Sequence, residues 1–417
     1  MRRRMMLKLF ILISTLILSE ISFTQKNLLA DEPLAFTGAL IYTAPGEEPI
    51  HDGVVVVANG KITGIGSAGA ITIPSGARVI DCKGQTMVAG LWNTHVHFME
   101  SKWNDAANIP AQQLTKQFQD MLTRYGFTSV VDIGSILQNT LALRQRVSAG
   151  DVAGPRILTA GMIIFPKDGV PYYITEFVSP DLIAACRKGE AATPADAVRM
   201  VDEQLEQGAD VVKIMVVSWL RINGQIRPWP MPLPVVLAAT AEAHRKGKLV
   251  FAHPSTMEGV NLVLAGNVDI LAHTSEESDK WDKALSLRLK AANVVLIPTL
   301  TLFDRDTNSD SIRKEVTSYA NVGGKIMFGT DVGYLTDYPA MTKEFGYLAQ
   351  AGLNFNQILA SLTTIPANLL GFAKQTGTIK KGMDADLVLL DGDPAQDINA
   401  FSRVAMTVRQ GRIIYQK

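Results

Sequence analysis

The middle of the chain is constrained most by a regular alternation of strand-like and helix-like segments. Eight apolar runs rich in β-branched residues recur, at residues 87–97, 127–133, 156–165, 209–217, 249–253, 268–273, 293–299 and 325–331. Segments between them, such as 193–207 and 235–247, show the 3.6-residue apolar spacing of amphipathic helices. Eight strand–helix units of this length predict an α/β protein, a (β/α)₈ TIM barrel spanning residues 89–372.

Both ends of the chain carry short strand patterns instead. Near the start, two apolar runs flank Asn59-Gly60, a pair suited to a tight hairpin turn. Near the end, residues 385–390, 404–409 and 412–415 are similar, with a turn at Gln410-Gly411. Because neither stretch is long enough to bury a sheet alone, we expect residues 31–88 and 373–417 to form one small β-sandwich together.

The first thirty residues predict a signal peptide. Arg2, Arg3, Arg4 and Lys8 precede an apolar run at residues 9–18, about half of the ~20 residues that a membrane span needs. Cleavage after Ala30 would give a secreted or periplasmic protein, and an uncleaved anchor is the alternative. We expect no membrane association beyond this segment.

Charge and cysteine content limit the partners. Basic and acidic residues are equal at 40 each, so no basic excess attracts nucleic acid. Cys82 and Cys186 fall in different predicted domains and are expected to be free, buried thiols. These features favour a small-molecule substrate and leave a homo-oligomer open.

Polar side chains stand at the ends of several predicted strands. His95 and His97 end the first, His253 and His273 end the fifth and sixth, and Asp331 ends the eighth. Each alone is more often a hydrogen-bonded core residue than a ligand. Together, on the barrel face where active sites are built, they match the nitrogen and oxygen ligands that zinc prefers.

Lys213 lies within the apolar strand 209–217. A buried ammonium without a partner tends to lose its proton, and a neutral amine can react with carbon dioxide to give a carbamate, which could bridge two metal ions. A lysine that reaches solvent or pairs with a carboxylate is the alternative.

The order of these motifs resembles the amidohydrolase superfamily, in its imidazolonepropionase-like and prolidase-like (Xaa-Pro dipeptidase-like) branch. The resemblance covers nearly the whole chain after the signal peptide and rests on the following motifs: Asn59-Gly60-Lys61-Ile62, Gly90-Leu91 before the His-x-His pair, Gly329-Thr330-Asp331, Pro366-Ala367-Asn368 and residues 377–387. It implies one Zn²⁺ on His95, His97 and Asp331, a second on His253 and His273, and a carbamylated Lys213 between them.

The sequence departs from the family pattern at three places. Ala89 replaces a usual proline and Asn93 a frequent acidic residue, and we expect neither to touch the ligands. The loop 253–256 also differs, which leaves the substrate open.

This ligand set predicts a metal-dependent amidohydrolase. A metal-activated hydroxide would attack a carbonyl, and Asp331 would be the catalytic acid–base. The expected substrate is a cyclic amide, an N-acyl amino acid or an Xaa-Pro-type dipeptide. A lactonase or esterase on the same site and a non-catalytic metal-binding scaffold are the alternatives.

Aromatic and basic residues on the loops after strands three, four and eight could contact this substrate. They are Tyr172, its neighbour Tyr173, Trp219, Arg221 and Tyr334. They would favour an apolar or aromatic substrate with a carboxylate, although a packing role is the alternative for each. His51 and His244 are expected at the surface.

Overall fold

A computed structural model describes residues 32–176, 178–277, 280–304 and 309–417. The predicted signal peptide and its cleavage site lie outside these residues. The strands are β1 (Leu34–Ile41), β2 (Ile50–Ala58), β3 (Lys61–Ser67), β4 (Arg78–Asp81), β5 (Gln85–Ala89), β6 (Leu91–Val96), β7 (Phe127–Asp132), β8 (Arg156–Thr159), β9 (Phe165–Pro166), β10 (Glu190–Ala191), β11 (Val212–Met215), β12 (Val217–Ile222), β13 (Gln225–Pro230), β14 (Val250–His253), β15 (Ile270–Ala272), β16 (Val295–Ile297), β17 (Leu387–Asp391), β18 (Val404–Arg409) and β19 (Arg412–Gln416).

The α-helices of the same residues fall mainly between the central strands. They are α1 (Ala111–Met121), α2 (Leu137–Ser148), α3 (Tyr172–Thr175), α4 (Pro180–Lys188), α5 (Pro194–Glu206), α6 (Leu233–Arg245), α7 (Met257–Ala265), α8 (Lys283–Ala291), α9 (Ser309–Asn321), α10 (Lys343–Gln350), α11 (Phe355–Leu362) and α12 (Thr364–Leu369). The segments with helical spacing at 193–207 and 235–247 correspond to α5 and α6. A capping box between Thr193 and Asp196 fixes the start of α5.

Strands from both ends of the chain share one sheet. Its order is β19-β18-β17-β5-β1-β2-β3, and β4 pairs with β1. Asn59 and Gly60, with φ of 52° and 75°, form the two-residue turn between β2 and β3, the left-handed backbone that such hairpins require. The predicted β-sandwich is not confirmed, because the structure describes a single sheet here rather than two stacked ones.

The central strands are parallel and buried. β6, β7 and β8 form one sheet, and β11, β14, β15 and β16 form another. All six residues of β7 are buried, as expected where helices cover a parallel sheet. The α/β class predicted from the alternation is confirmed.

The predicted eighth strand, 325–331, has no regular ladder in the structure. Single bridges join Ile326 to Leu296 of β16 and Val332 to Val96 of β6. Asp331 has a φ of +58°, so the backbone curls where a strand would continue.

Cys82 and Cys186 are buried and unpaired, which confirms the expectation of free thiols. No helix among the described residues combines the length and apolar character needed to cross a membrane.

Candidate active site

All six residues proposed from the sequence as metal ligands line one cavity of about 440 Å³. It lies at the carboxyl ends of the parallel strands. His95 and His97 flank the last residue of β6, His253 ends β14, and His273 follows β15. Lys213, within β11, and Asp331 complete the set. The structure therefore brings together side chains that are up to 236 positions apart in the sequence.

Three imidazoles converge on the carboxylate of Asp331. His97 Nε2 lies 2.8 Å and His95 Nε2 lies 3.2 Å from Oδ1, and His273 Nε2 lies 3.8 Å from Oδ2. Oδ1 nevertheless has no hydrogen-bond partner among the described residues, because the directions of these short contacts are not those of hydrogen bonds. Ligand atoms of His95, His273 and Asp331 all lie within 4.8 Å of one another, so they could hold a metal ion.

Two of these rings are oriented by hydrogen bonds on their far side. His97 Nδ1 lies 3.0 Å from the carbonyl oxygen of Gly134, and His273 Nδ1 lies 2.5 Å from Thr299 Oγ1. A partner at Nδ1 leaves the Nε2 lone pair directed into the cavity, which is how metal-binding histidines are usually held.

Asp132 supports His97 from behind, a role that the sequence did not reveal. This buried carboxylate, at the end of β7, accepts hydrogen bonds from Ser135 Oγ at 2.6 Å and Thr140 Oγ1 at 2.7 Å. It thereby fixes the turn whose Gly134 carbonyl contacts His97.

Asn93 also touches the site, so the expectation that it would not was wrong. Its side-chain oxygen accepts from the backbone nitrogen of His95 at 3.3 Å, and its amide donates to Thr330 Oγ1 at 2.7 Å. An asparagine can link the two segments because it both donates and accepts.

The loops that carry His273 and Asp331 have unusual backbone conformations. Their φ values are +104° and +58°, in a region that residues other than glycine seldom adopt. Gly333 lies so close to β6 that an added Cβ would stand 1.9 Å from the carbonyl oxygen of His97. Only glycine fits there.

Burial dominates the electrostatics of Lys213. It lowers the pKa of this amine to about 7, and Nζ has no hydrogen-bond partner within the described residues. Lys213 therefore neither reaches solvent nor pairs with a carboxylate among the described residues, and both alternatives are wrong. A large fraction of the amine is neutral near pH 7.

The histidines and Asp331 are shifted as well. Burial lowers the pKa of His95 to about 4, and it holds the pKa values of His253 and His273 well below their ordinary value. Burial also opposes charge on His97 and Asp331, but their neighbours prevail. Asp331 raises the pKa of His97, and His95 and His97 together hold the pKa of Asp331 well below its usual range. An ionised carboxylate thus faces mostly neutral imidazoles.

Aromatic residues form the wall above these groups. Tyr172, Trp219 and Tyr334 line the cavity, as do Tyr173, Phe303 and Glu276. Trp219 Nε1 donates to Glu276 Oε1 at 3.0 Å. Glu276 was missed in the sequence, although its place three residues after His273 was an available signal.

Arg221 is placed differently from the other predicted substrate contacts. It is not among the residues that line the cavity. Its exposed guanidinium donates to Glu176 Oε1 at 2.7 Å and lies 4.8 Å from the centre of the Tyr172 ring.

The hydroxyl of Tyr173 is buried at the cavity wall without a hydrogen-bond partner among the described residues. Its ring makes edge contacts with Tyr172 at 5.5 Å and Tyr334 at 6.0 Å between centroids. Burial raises the pKa of this phenol well above its ordinary value, so it stays protonated and can donate.

Parallel strands alternating with helices, with imidazoles and a carboxylate clustered at the strand ends, define an α/β enzyme with a candidate metal site. The chain belongs to the amidohydrolase family, which matches residues 86–414. It is a hydrolase that acts on carbon–nitrogen bonds.

Individual relatives agree with this assignment. The chain is 23% identical to ochratoxinase from Aspergillus niger over 88% of its own length and 83% of that protein. It is 37% identical to imidazolonepropionase from Thermoplasma acidophilum over a segment of 68 residues, 16% of this chain and 17% of that one.

A solved structure of an Xaa-Pro dipeptidase with methionine bound in its active site superimposes with a TM-score of 0.75. The two are 22% identical, and the match covers 92% of this chain and 100% of the other. At this identity the likeness shows a shared fold. The resemblance to the amidohydrolase superfamily is confirmed by the family match.

Proposed function

We propose that this protein is a metal-dependent amidohydrolase of small, largely apolar amides. One observation carries the proposal. Three imidazole nitrogens surround the Asp331 carboxylate, and in the same cavity Lys213 Nζ and His253 Nε2 are buried without hydrogen-bond partners among the described residues. Buried polar atoms seldom remain unpaired, and a cation among them would satisfy the imidazole and carboxylate atoms.

The residues fit two divalent ions, with zinc the best match to their nitrogen and oxygen atoms. His95, His97 and Asp331 would hold one ion, and His253 and His273 the other. Bound zinc supplies acidity that makes a water nucleophile available near neutral pH, and it polarises a carbonyl oxygen.

Lys213 would contribute as a carbamate. Its neutral amine attacks carbon dioxide, a C–N bond forms, and one proton leaves to solvent, so the side chain gains a carboxylate-like group of one negative charge. This converts a residue that would repel cations into one that binds them. A pKa of about 7 supports the step, because the reactive form is the free amine.

Asp331 would move the proton of the reaction. Its carboxylate is ionised, points into the cavity and lies among imidazoles that are held in place by Gly134 and Thr299. It accepts a proton from the attacking water and delivers it to the leaving nitrogen. The Tyr173 hydroxyl, a donor without a partner in the described residues, would bind the substrate's carbonyl oxygen.

The cavity wall supports an apolar or aromatic substrate. Five aromatic side chains line the cavity and offer stacking surfaces, and 440 Å³ suits a small molecule. The fold shared with an Xaa-Pro dipeptidase supports an Xaa-Pro-type dipeptide, and an N-acyl amino acid remains a candidate from the sequence. A role for Arg221 in binding a substrate carboxylate is not part of this proposal, because its guanidinium already pairs with Glu176.

Backbone hydrogen bonds between the central segments support the predicted closed barrel. Backbone hydrogen bonds link the segments that lack regular ladders: Ile164 N donates to Lys213 O at 2.9 Å, Met327 N to Leu296 O at 2.9 Å, and Thr94 N to Phe328 O at 2.9 Å. A (β/α)₈ barrel would place all six polar residues on one rim.

Metal analysis combined with one matched pair of variants tests the proposal. Protein purified without chelators should contain one to two equivalents of a divalent transition metal and should hydrolyse members of a panel of N-acyl amino acids, Xaa-Pro dipeptides and cyclic amides. His273→Asn should lose metal, whereas His244→Asn should retain it, because His244 is exposed and pairs with Asp269.

Three results would count against parts of the proposal. Far less than one equivalent of metal would remove the metal-dependent mechanism. A protein that hydrolyses only the lactones or esters added to the panel would be an esterase on the same site. Full metal content without any hydrolysis would favour a binding scaffold.

A further inference from the structure

A second cavity, of about 660 Å³, lies away from the active site. Its walls are the turn that joins β2 to β3, the turn that joins β18 to β19, and the segment 147–154 at the end of α2. It has no lining residue in common with the metal site. We call it the junction cavity, because it lies between the terminal sheet and the central part of the chain.

Basic side chains outnumber acidic ones around the junction cavity. Lys61, Arg409 and Arg412 line it together with Asp384. Arg156 lies directly behind, where it pairs with Asp384 at 3.0 Å. Asp386 is the remaining charged group of this cluster, 3.3 Å from Arg156. Leaving Arg412 aside, three cations (Lys61, Arg156 and Arg409) accompany two carboxylates.

Both carboxylates are already occupied. Asp384 accepts from Lys61 Nζ at 2.6 Å as well as from Arg156. Asp386 accepts from Arg156 and from the backbone nitrogen of Gln410, at 2.8 Å. Neither carboxylate accepts a hydrogen bond from Arg409 among the described residues.

Arg409 is the unpaired member of the cluster. Its Nε is buried and has no hydrogen-bond partner, and its guanidinium forms no ion pair, in the described part of the chain. Arg409 is partly buried, and Asp386 and Asp384 attract its charge without accepting a hydrogen bond from it. A guanidinium withdrawn from water without an acceptor is costly, and arginine does not relieve this by losing its proton. An anion from outside the chain would therefore bind favourably here.

Arg412 does not remove this excess. An added Cβ on Gly150 would stand 2.7 Å from Arg412 Nη1, which places the guanidinium just past the carboxyl end of α2, where a cation is favourable. If the charge of Arg412 is counted with the helix end, three positive charges remain (Lys61, Arg156 and Arg409). They exceed the two negative charges of Asp384 and Asp386 by one.

We propose that the junction cavity binds a phosphate-type oxyanion through Arg409. A guanidinium offers paired N–H donors that match phosphate oxygens, and the volume leaves room for a small organic group attached to the phosphate. The anion would connect the hairpin turns of the terminal sheet to the end of α2. It would stabilise the junction without taking part in hydrolysis.

Isothermal titration and thermal unfolding with inorganic phosphate test this site, with succinate and sodium chloride of equal ionic strength as comparison arms. Arg409→Met is compared with Arg78→Met, which removes the same charge from an exposed position on β4. Phosphate at about ten times its Kd should raise the unfolding temperature of the wild type and Arg78→Met by about 1–3 °C. Arg409→Met should lose the heat of binding and the shift.

Several results would overturn the proposal. Equal phosphate binding by Arg409→Met and Arg78→Met would place the anion elsewhere, the metal centre included. An equal shift from chloride would show a general salt effect, and binding of succinate alone would refute the phosphate-type ligand. If Arg409→Met does not fold, Arg409→Lys should bind phosphate at least about threefold more weakly than wild type, and undiminished binding would refute the role of the guanidinium.

Discussion

The replacement of Lys213 by methionine should stabilise the metal-free protein, and the gain should depend on pH. Lys213 is only 2% exposed and its Nζ has no hydrogen-bond partner among the described residues. Burial lowers its pKa from 10.5 to about 7. Methionine has a similar length and no charge, so it removes the penalty of burying the amine.

The magnitude follows from proton linkage. Below pH 7 both the folded and the unfolded states carry the proton, and the folded state bears the full penalty. A difference from 10.5 to about 7 corresponds to about 5 kcal/mol, at about 1.4 kcal/mol for each factor of ten. Between pH 7 and 10.5 the unfolded state binds more protons, so stability of the wild type rises with pH. The advantage of Lys213→Met should therefore fall from about 5 kcal/mol at pH 6 to about 1 kcal/mol at pH 9.5.

Denaturant unfolding of chelator-treated protein in buffers depleted of carbon dioxide measures this difference. Lys283→Met, at an exposed position of α8, is the control and should change stability little at either pH. A Lys213→Met variant that is less stable than wild type, or a gain that is equal at pH 6 and pH 9.5, would refute the reasoning. In metal-loaded protein the same substitution should instead reduce metal content, because the proposed carbamate is lost.

Three further outcomes are expected. Asp331→Asn should fold and lower kcat at least ~10²-fold on a confirmed amide substrate, whereas Asp168→Asn, at an exposed loop position, should not; an unchanged kcat would remove the acid–base role. Tyr173→Phe should lower kcat about tenfold or more with metal content unchanged, and a wild-type kcat would make the residue a packing element. Native protein recovered from outside the cytoplasm should begin near Asp31, and N-terminal sequencing that starts at Met1 would contradict signal-peptide cleavage.

The ordered polar residues at strand ends could be placed in advance because a parallel α/β fold imposes a simple rule. Side chains at the carboxyl ends of successive strands meet on one face, whatever their separation in sequence. His95, His253 and Asp331 therefore could be assigned to one cavity without any knowledge of contacts. Lys213 lies within its strand rather than at the end, and its apolar neighbours signalled burial.

Contacts made through the backbone or between loops could not be predicted in this way. The carbonyl of Gly134 that orients His97 carries no side-chain signal, and Asn93 was judged by family pattern rather than by its reach to Thr330. Arg221 was placed near the substrate because its loop follows strand four. In the structure Arg221 lies in β12, and its partner, Glu176, directly follows α3. Sequence periodicity relates residues within one element and does not pair residues from two different ones.

Lys213 and Arg409 pose the same physical problem in two cavities and should solve it differently. Each is a buried basic group without a hydrogen-bond partner in the described residues, but an amine can lose its proton and a guanidinium cannot. Lys213 can therefore become neutral, react with carbon dioxide and turn into a ligand for cations. Arg409 keeps its charge and would be stabilised by a bound anion. Removing carbon dioxide should weaken metal loading without changing phosphate affinity, and removing phosphate should leave metal loading intact. If phosphate changed metal loading, or carbon dioxide changed phosphate affinity, the two cavities would be coupled through the strands between them.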